Sequence, residues 1–400
     1  MAIALAAFTV AVHIWLYPVH RAWALSSDGF TQLRQDNVAG FVEKLTQAHQ
    51  LAPWEPYYSY QLGWNLGDLS FQASDPAQQQ QLRQDAIAWF QSANEVSPYQ
   101  EFGHSNLGWL AVNAGDIDMA VESFSRSAQL VPAKKGVFFG LGFSLMQQGK
   151  PELAAQAIAL ELVRQPLLIS SPVWRIGPLA AIADQIIEQT LKTYDQLEAV
   201  AQSDTALSSY IHQNRGALHW WLGDITKAEA DWTSIAKPLG SVLLQLSQSA
   251  DSAALRETVE ALPETSAKYA LLAWLTPSNR HALLEKAWAN LPLEDLSTVE
   301  DVAPPAEIID SLLQAMSTSN HLDEWLKEPP ITWQPRSQRS GFGVLSRHID
   351  GPLPKDYLPR IENLVVTRFF EDVFDMSAYL PRLDQQINSQ RIEFPPLTGR

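Results

Sequence analysis

The chain has 400 residues, 46% of them hydrophobic, which supplies a sizeable core and excludes a disordered polymer. A formal charge of -16 argues against a nucleic-acid binder, because affinity for a phosphate backbone comes from clustered Lys and Arg. Cysteine is absent, so disulfides, thiolate metal sites and cysteine nucleophiles are excluded together.

The first predicted element is an apolar helix. Residues 2–17 form a run of sixteen mostly apolar side chains, about 24 Å long at about 1.5 Å per residue, against a bilayer core of about 30 Å. To span, it must continue through Pro18 to Trp23. The expected reading is a retained transmembrane anchor over residues 1–25, with Trp15, Tyr17 and Trp23 at the interfaces. A cleaved signal peptide, suggested by Ala22 and Ala24, and a helix lying on protein or on a membrane surface stay open. The expected location is therefore a membrane, through a single N-terminal span. Arg21 alone does not orient it, and the lack of cysteine tilts the choice toward an extracytoplasmic soluble part.

Residues 26–170 carry a repeating pattern. A polar stretch over 26–37 precedes it, with Ser27 or Asp28 expected to cap the next helix. Leu45, Ala48 and Pro53 look like the second half of an opening unit. Ser59, Leu62, Gly63 and Leu66 then fit a first helix, and Ala86, Phe90, Ala93 and Pro98 a second, with about eleven extra Gln-rich residues between them. The extra residues, which include Asp75 and Pro76, read as a long turn. His104, Leu107, Gly108, Ala111, Gly115, Ala120, Phe124 and Pro132 recur 34 positions later as Phe138, Leu141, Gly142, Leu145, Gly149, Ala154, Ile158 and Pro166.

Pro166, Pro172 and Pro178 then break the helical spacing. Over 171–328 helical periodicity resumes, and one more repeat-like unit is expected at 209–240. There Gly216, Gly223, Asp224, Ala228 and Trp232 keep the mutual offsets of Gly108, Gly115, Asp116, Ala120 and Phe124. The Asp residues of the pairs Gly67-Asp68, Gly115-Asp116 and Gly223-Asp224 are expected in turns, capping the helix that follows. Residues 329–400 form a Pro-rich tail with short helices expected near 363–375 and 380–388. From Arg336 onward nine basic residues meet eight acidic ones, so the acidity resides in the body.

A 34-residue period of large-x2-Leu-Gly-x2-apolar, then Ala-x3-large, then Pro resembles the tetratricopeptide repeat. That resemblance implies an all-α fold, an α-solenoid of helical hairpins, with a concave face lined by the first helix of each unit. Carried over position by position, the face holds Tyr57, Tyr60 and Trp64, then Phe102, Ser105 and Trp109, then Phe139 and Phe143, then Tyr210 and Trp220, with Gln213 beside them. None is basic, which disfavours a clamp for an acidic peptide terminus. Aromatic faces suit an apolar or Pro-rich protein or peptide segment, or a glycan. With 14 Trp and 15 Phe in the chain, the same residues fit a plain core equally well. The tail filling the groove is a third possibility.

Chemistry has no foothold in the motifs: there is no phosphate-binding loop, no zinc-protease helix, no nucleophile elbow and no cofactor fingerprint. His104 reads as a packing residue; His212 and His219 share a helix face with no carboxylate cluster in sequence. A non-enzymatic, membrane-anchored scaffold for protein–protein interaction is the function expected. An apolar helix leading into a half repeat and Ala52-Pro53-Trp54-Glu55-Pro56-Tyr57-Tyr58 also resembles the C-terminal region of bacterial O-antigen ligase or polymerase-type membrane proteins. On that resemblance the chain is an accessory part of a glycan-assembly system, without the catalytic membrane segments.

Overall fold

A computed structural model of the chain describes residues 2–175, 178–201, 203–248, 252–290, 306–327, 363–376 and 380–390. Among these residues every regular element is helical. They fall into two compact units, the first running to Val131 and the second beginning at Pro132. The boundary lies inside the stretch read as one repeat region.

The first unit holds α1 (Ala2–Arg34), α2 (Val38–Leu51), α3 (Pro56–Gln72), α4 (Pro76–Val96), α5 (Glu101–Ala114) and α6 (Ile117–Leu130), which pack as three successive hairpins. The expected boundary near residue 25 falls within α1, which is one unbroken helix through Pro18. Ser27 and Asp28 therefore cap nothing; Asn37 caps α2, its Oδ1 accepting from Gly40 N at 3.0 Å. Glu55, Asp75 and Asp116 do the same for α3, α4 and α6, at 3.0, 3.0 and 3.1 Å, each contributing about 1 kcal/mol.

The single N-terminal span does not stand. Among the described residues no helix is long and apolar enough to cross a membrane. The residues that had to complete the span are where α1 turns to protein: His20 and Arg21 interrupt the apolar run, and Ala22 and Leu25 are buried. Both join Ala48, Ala52 and Tyr58 in one apolar cluster with α2 and α3. Phe41, Leu45 and Leu62 form a second cluster, flanked by Phe30 and Leu33 from the last turns of α1.

The insertion between the second pair of helices is not a loop. It lengthens both partners: α3 runs on through Gly67 and Asp68 to Gln72, and α4 starts at Pro76 with Asp75 as its cap. Asp68 is thus a helical residue accepting from Gln72 Nε2 at 3.0 Å, not a cap. Gln is a good helix former, and Pro at the first helical position costs nothing because its missing N–H would be unpaired anyway. Only the shorter Gly-Asp turns are as expected. Gly115 and Gly223 sit at φ +79° and +85°, closing α5 and α10, and the Asp after each caps the next helix. Ala would be strained at that φ.

The second unit holds α7 (Val137–Gln147), α8 (Pro151–Arg164), α9 (Ala183–Ala201), α10 (Thr205–Leu222), α11 (Ile225–Ser234), α12 (Pro238–Ser247), α13 (Ser252–Glu260), α14 (Ser266–Leu275), α15 (Arg280–Ala289), α16 (Ala306–Thr318), α17 (Leu322–Lys327), α18 (Leu364–Phe369) and α19 (Pro381–Gln390). The proline-broken stretch after α8 forms three 3-10 turns, at Pro166–Ser170, Pro172–Trp174 and Pro178–Ile182. α7 pairs with α8, α10 with α11 and α14 with α15 as hairpins, and α8 also packs along α9. α18 packs on α14, α15 and α17, with Phe369 stacked on Trp325 at 6.3 Å and Arg368 lying 4.2 Å over Trp288. The tail prolines from Pro329 to Pro359 and the glycines Gly341 and Gly343 lie outside the described residues.

One contact recurs in four hairpins. A Cβ added at Gly63 would lie 2.8 Å from the Phe90 ring, at Gly108 2.9 Å from Phe124, at Gly142 2.4 Å from Ile158 and at Gly216 2.6 Å from Trp232. The small residue four before each large one, Ala86, Ala120, Ala154 or Ala228, is fully buried. A glycine on the first helix thus receives the large side chain of the second, and an alanine keeps the backbones close. This is the structural content of the sequence repeat.

Candidate interaction surface

The ten positions read as groove lining divide by burial. In the first unit Tyr57 is exposed at 43%, and Trp64 and Phe102 are half-buried. Tyr60, Ser105 and Trp109 are buried, at 3%, 3% and 4%. Tyr60 packs edge-on against Phe102 at 5.4 Å, and its hydroxyl reaches Ser97 O at 3.3 Å. Burial pushes that hydroxyl up to about 12, Ser97 pulling the other way. Trp109 packs edge-on to Phe124 at 5.0 Å. In the second unit Phe143 is half-buried, whereas Phe139, Tyr210 and Trp220 are buried. Tyr210 donates to Val163 O at 2.6 Å, bringing α10 onto the last turn of α8.

Six of the ten therefore present no surface to a partner. For the five aromatic ones the cause is simple: a ring large enough to line a groove is also large enough to close the gap between neighbouring helices. Burying it gains roughly 25 cal/mol per Å² of apolar area.

Other aromatics of the first unit are exposed. Trp54 and Trp23 are 62% and 71% exposed, and Tyr17 and Tyr99 are exposed as well. Trp23, Trp54 and Tyr57 each lie within two residues of a member of the buried Ala22, Leu25, Ala48, Ala52 and Tyr58 cluster. Trp54 sits in the turn between α2 and α3, where prolines on both sides hold it outside either helix. Tyr57 packs edge-on against buried Tyr58 at 5.6 Å. The Pro-Trp-Glu-Pro run was the available signal for Trp54.

The fourth repeat-like unit departs from the pattern at one informative place. Leu62, Leu107 and Leu141 precede their packing glycines, whereas Arg215 precedes Gly216. Its guanidinium is bidentate on the buried Asp231 of α11, at 3.0 and 2.7 Å, and also meets Asp195 at 3.1 Å and Glu198 of α9. Hydrogen bonding to Asp231 chiefly raises the Arg215 pKa further. His212 Nδ1 lies 2.9 Å from Asp231 Oδ1 and Nε2 lies 3.7 Å from Glu198. A carboxylate cluster does accompany His212; it comes from α9 and α11, out of reach of a spacing argument on α10. Among the described residues no group of His, Asp and Glu has the geometry to hold a metal ion. His104, whose Nε2 donates to Pro98 O at 3.0 Å, is a packing residue whose pKa burial lowers.

The same α10 meets the tail. Asn214 Nδ2 donates to Asp375 O at 3.1 Å and its Oδ1 accepts from Asp375 N at 2.8 Å. Lys237, at the start of α12, donates to Asp372 O at 2.6 Å. Burial holds the Lys237 ammonium below its ordinary pKa, against the pull of Asp372 and Asp375.

A last polar site is structural. Glu161 of α8, 1% exposed, accepts from Gly136 N at 2.7 Å and Phe139 N at 3.1 Å, closing the N-terminus of α7. Burial pushes its carboxyl up to about 7, with those amides opposing. No protein-family model matches the chain, and no curated protein matches its sequence.

Proposed function

We propose that this chain is a non-enzymatic helical-repeat scaffold of tetratricopeptide type, whose hairpins stack as an α-solenoid and hold a protein partner. The observation that carries the reading is the fourfold contact of Gly63 with Phe90, Gly108 with Phe124, Gly142 with Ile158 and Gly216 with Trp232. A unit built this way leaves an apolar flank that a neighbouring unit covers, and arrays of such units work by binding. Among the exposed aromatics of the first unit, Trp54 in the turn before α3 and Tyr57 in its first turn are the positions best suited to meet an apolar or Pro-rich segment.

The test is capture from an extract of the source organism with the full chain as bait, followed by mass spectrometry, beside a Trp54→Ala, Tyr57→Ala variant. The expected result is a partner enriched about tenfold less by the variant, with helical circular dichroism unchanged. An identical partner set with both baits overturns this placement of the binding surface.

A further inference from the structure

Two turns of the first unit match each other in a way that the repeat does not require. Four hairpins end on a proline, and the residue after it opens the turn that follows: Trp54 after Pro53, Tyr99 after Pro98, Ala133 after Pro132 and Leu167 after Pro166. Ala133 and Leu167 are buried, each 8% exposed, whereas Trp54 and Tyr99 are left 62% and 78% exposed. A large ring kept in water twice at one register is not there for packing. The two turns are also neighbours. Antiparallel pairing of α3 with α4 brings the end of α4 back to the start of α3. There the Tyr60 hydroxyl donates to Ser97 O at 3.3 Å, and its ring meets Phe102 of α5 edge-on at 5.4 Å. A Cβ added at Gly103 would lie 2.6 Å from Tyr60 Cε1. The first turns of α3 and α5 therefore stand side by side, about 8–10 Å apart as packed helices do.

That spacing selects a backbone. A polyproline II helix has three residues per turn and rises about 3.1 Å per residue, so one turn covers about 9 Å and successive turns meet successive rings. Pyrrolidine faces pack on Trp54 and Tyr99, and on Tyr57, which is 43% exposed in the first turn of α3. The charges select the rest of the ligand. Glu55 and Glu95 are exposed, the one next to Trp54 and the other four residues before Tyr99. Residues 2–131 hold twelve acidic residues against five basic ones. Of those basic residues, Arg126 is engaged at this edge: its guanidinium lies 5.4 Å over the Tyr99 ring and donates to Pro98 O at 3.5 Å, which steadies the ring. A ligand with arginine at every third position carries its guanidinium groups along one ridge, leaving its prolines to the aromatic side. Those groups then pair with Glu55 and Glu95.

We infer that the edge formed by the Pro53-Trp54 and Pro98-Tyr99 turns binds a proline-rich, arginine-bearing segment of a partner protein in the polyproline II conformation. The inference rests on the scaffold reading and names its ligand. It adds Tyr99 and Glu95 to Trp54 and Tyr57, and it excludes an acidic segment from this edge. Such a ligand is extended before it binds, so little ordering entropy opposes the contact and a few rings suffice.

The experiment is fluorescence anisotropy of a labelled (Pro-Pro-Arg)4 peptide titrated with the full chain at about 150 mM salt, beside (Pro-Pro-Glu)4 and (Gly-Ser-Arg)4. The wild type should bind the first at least about tenfold more tightly than either control, and a Trp54→Ala, Tyr99→Ala variant should lose at least about tenfold with circular dichroism unchanged. Glu95→Lys should weaken binding about threefold, as expected for an exposed charge pair. Equal binding of (Gly-Ser-Arg)4 reduces the contact to charge and overturns the inference. Equal binding by the double variant, or no binding of (Pro-Pro-Arg)4 below about 1 mM, does the same. Hydrogen exchange on the wild-type chain keeps the test open if the double variant misfolds. Saturating (Pro-Pro-Arg)4 should slow the amides within residues 52–57 and 97–102 and leave those of α14 and α15 unchanged; absence of that local slowing overturns the inference on its own. Failure of the peptide while Trp54-dependent capture of a partner persists sinks this ligand alone. A partner set unchanged by Trp54→Ala, Tyr57→Ala sinks the surface on which both readings rest.

Discussion

Replacing Gly63 with Ala should destabilise the first unit, against the ordinary preference of a helix. In an unencumbered helix interior the change would gain about 1 kcal/mol. Here the new methyl would lie 2.8 Å from Phe90 Cδ2 and 3.0 Å from both Cε2 and Cγ, where ordinary contact begins near about 3.4 Å. Phe90 is fully buried and its ring also faces Tyr60 and Phe102, so it has nowhere to retreat. Overpacking of this kind costs about 1–3 kcal/mol, which leaves a net loss of about 1 kcal/mol. Phe90→Leu removes the clashing ring edge, and in that background Gly63→Ala should turn neutral or stabilising. The coupling in the double-mutant cycle should be about 1–2 kcal/mol. The assay is urea denaturation, with exchange of α3 and α4 peptides confirming that the first unit is being read. Gly115→Ala serves as the control: a Cβ there meets nothing, so its cost comes from φ +79° and should not couple to Phe90. Gly63→Ala raising the urea midpoint, or additivity within about 0.5 kcal/mol, refutes the interlock as the meaning of the repeat.

Three further outcomes are expected. Glu161 has a folded pKa of about 7 against an ordinary 4.5, raised chiefly by burial, so the protonated form is the one the fold favours. Its contribution is whole below the unfolded value and is lost as pH rises through about 7, by about 3 kcal/mol at most. The urea midpoint of the second unit should fall between about pH 5 and about pH 8. Glu161→Gln should flatten that slope; an unchanged slope would assign it to other groups. Arg215→Leu, which restores the residue type of the other units, should cost about 3 kcal/mol because it leaves the Asp231 carboxylate, 5% exposed, with His212 as its remaining partner of that cluster. Adding Asp231→Asn should recover much of the loss in the same denaturation series; no recovery would mean that packing, not charge, is at stake. Tyr210→Phe should cost about 1–2 kcal/mol by leaving Val163 O without its 2.6 Å donor, and a neutral result by thermal melt would show that water replaces it.

The repeat was legible because it is written in residues only a few turns apart. Gly108 and Phe124, or Gly142 and Ile158, lie on consecutive helices, joined by a turn that holds a glycine at positive φ, Gly115 or Gly149. The same local reasoning failed at the inserted 67–75 stretch, where Gly67-Asp68 copied the turn signature inside a longer helix. Continued pairing of α3 with α4 outweighed one glycine there. The groove lining was misjudged for a different reason. Position within a repeat says which way Tyr60 or Tyr210 points, but exposure depends on what the neighbouring helices place opposite. The Arg215 cluster and the tail contact on α10 were out of reach entirely, since Asp195 and Glu198 come from α9 and Asp231 from α11, and Asp375 lies 161 positions from Asn214. The N-terminal segment read as a span because hydropathy alone does not report that Ala22 and Leu25 have protein neighbours.

The way α7 begins also bears on the order in which this chain acquires its shape. Gly136 offers α7 no side-chain cap, and the amides of its first turn are closed instead by Glu161, 22 to 25 residues downstream on α8. An eleven-residue helix without a local start signal is a poor nucleus in water. During synthesis α7 therefore waits for α8 to emerge, and the two acquire their structure as one cooperative step.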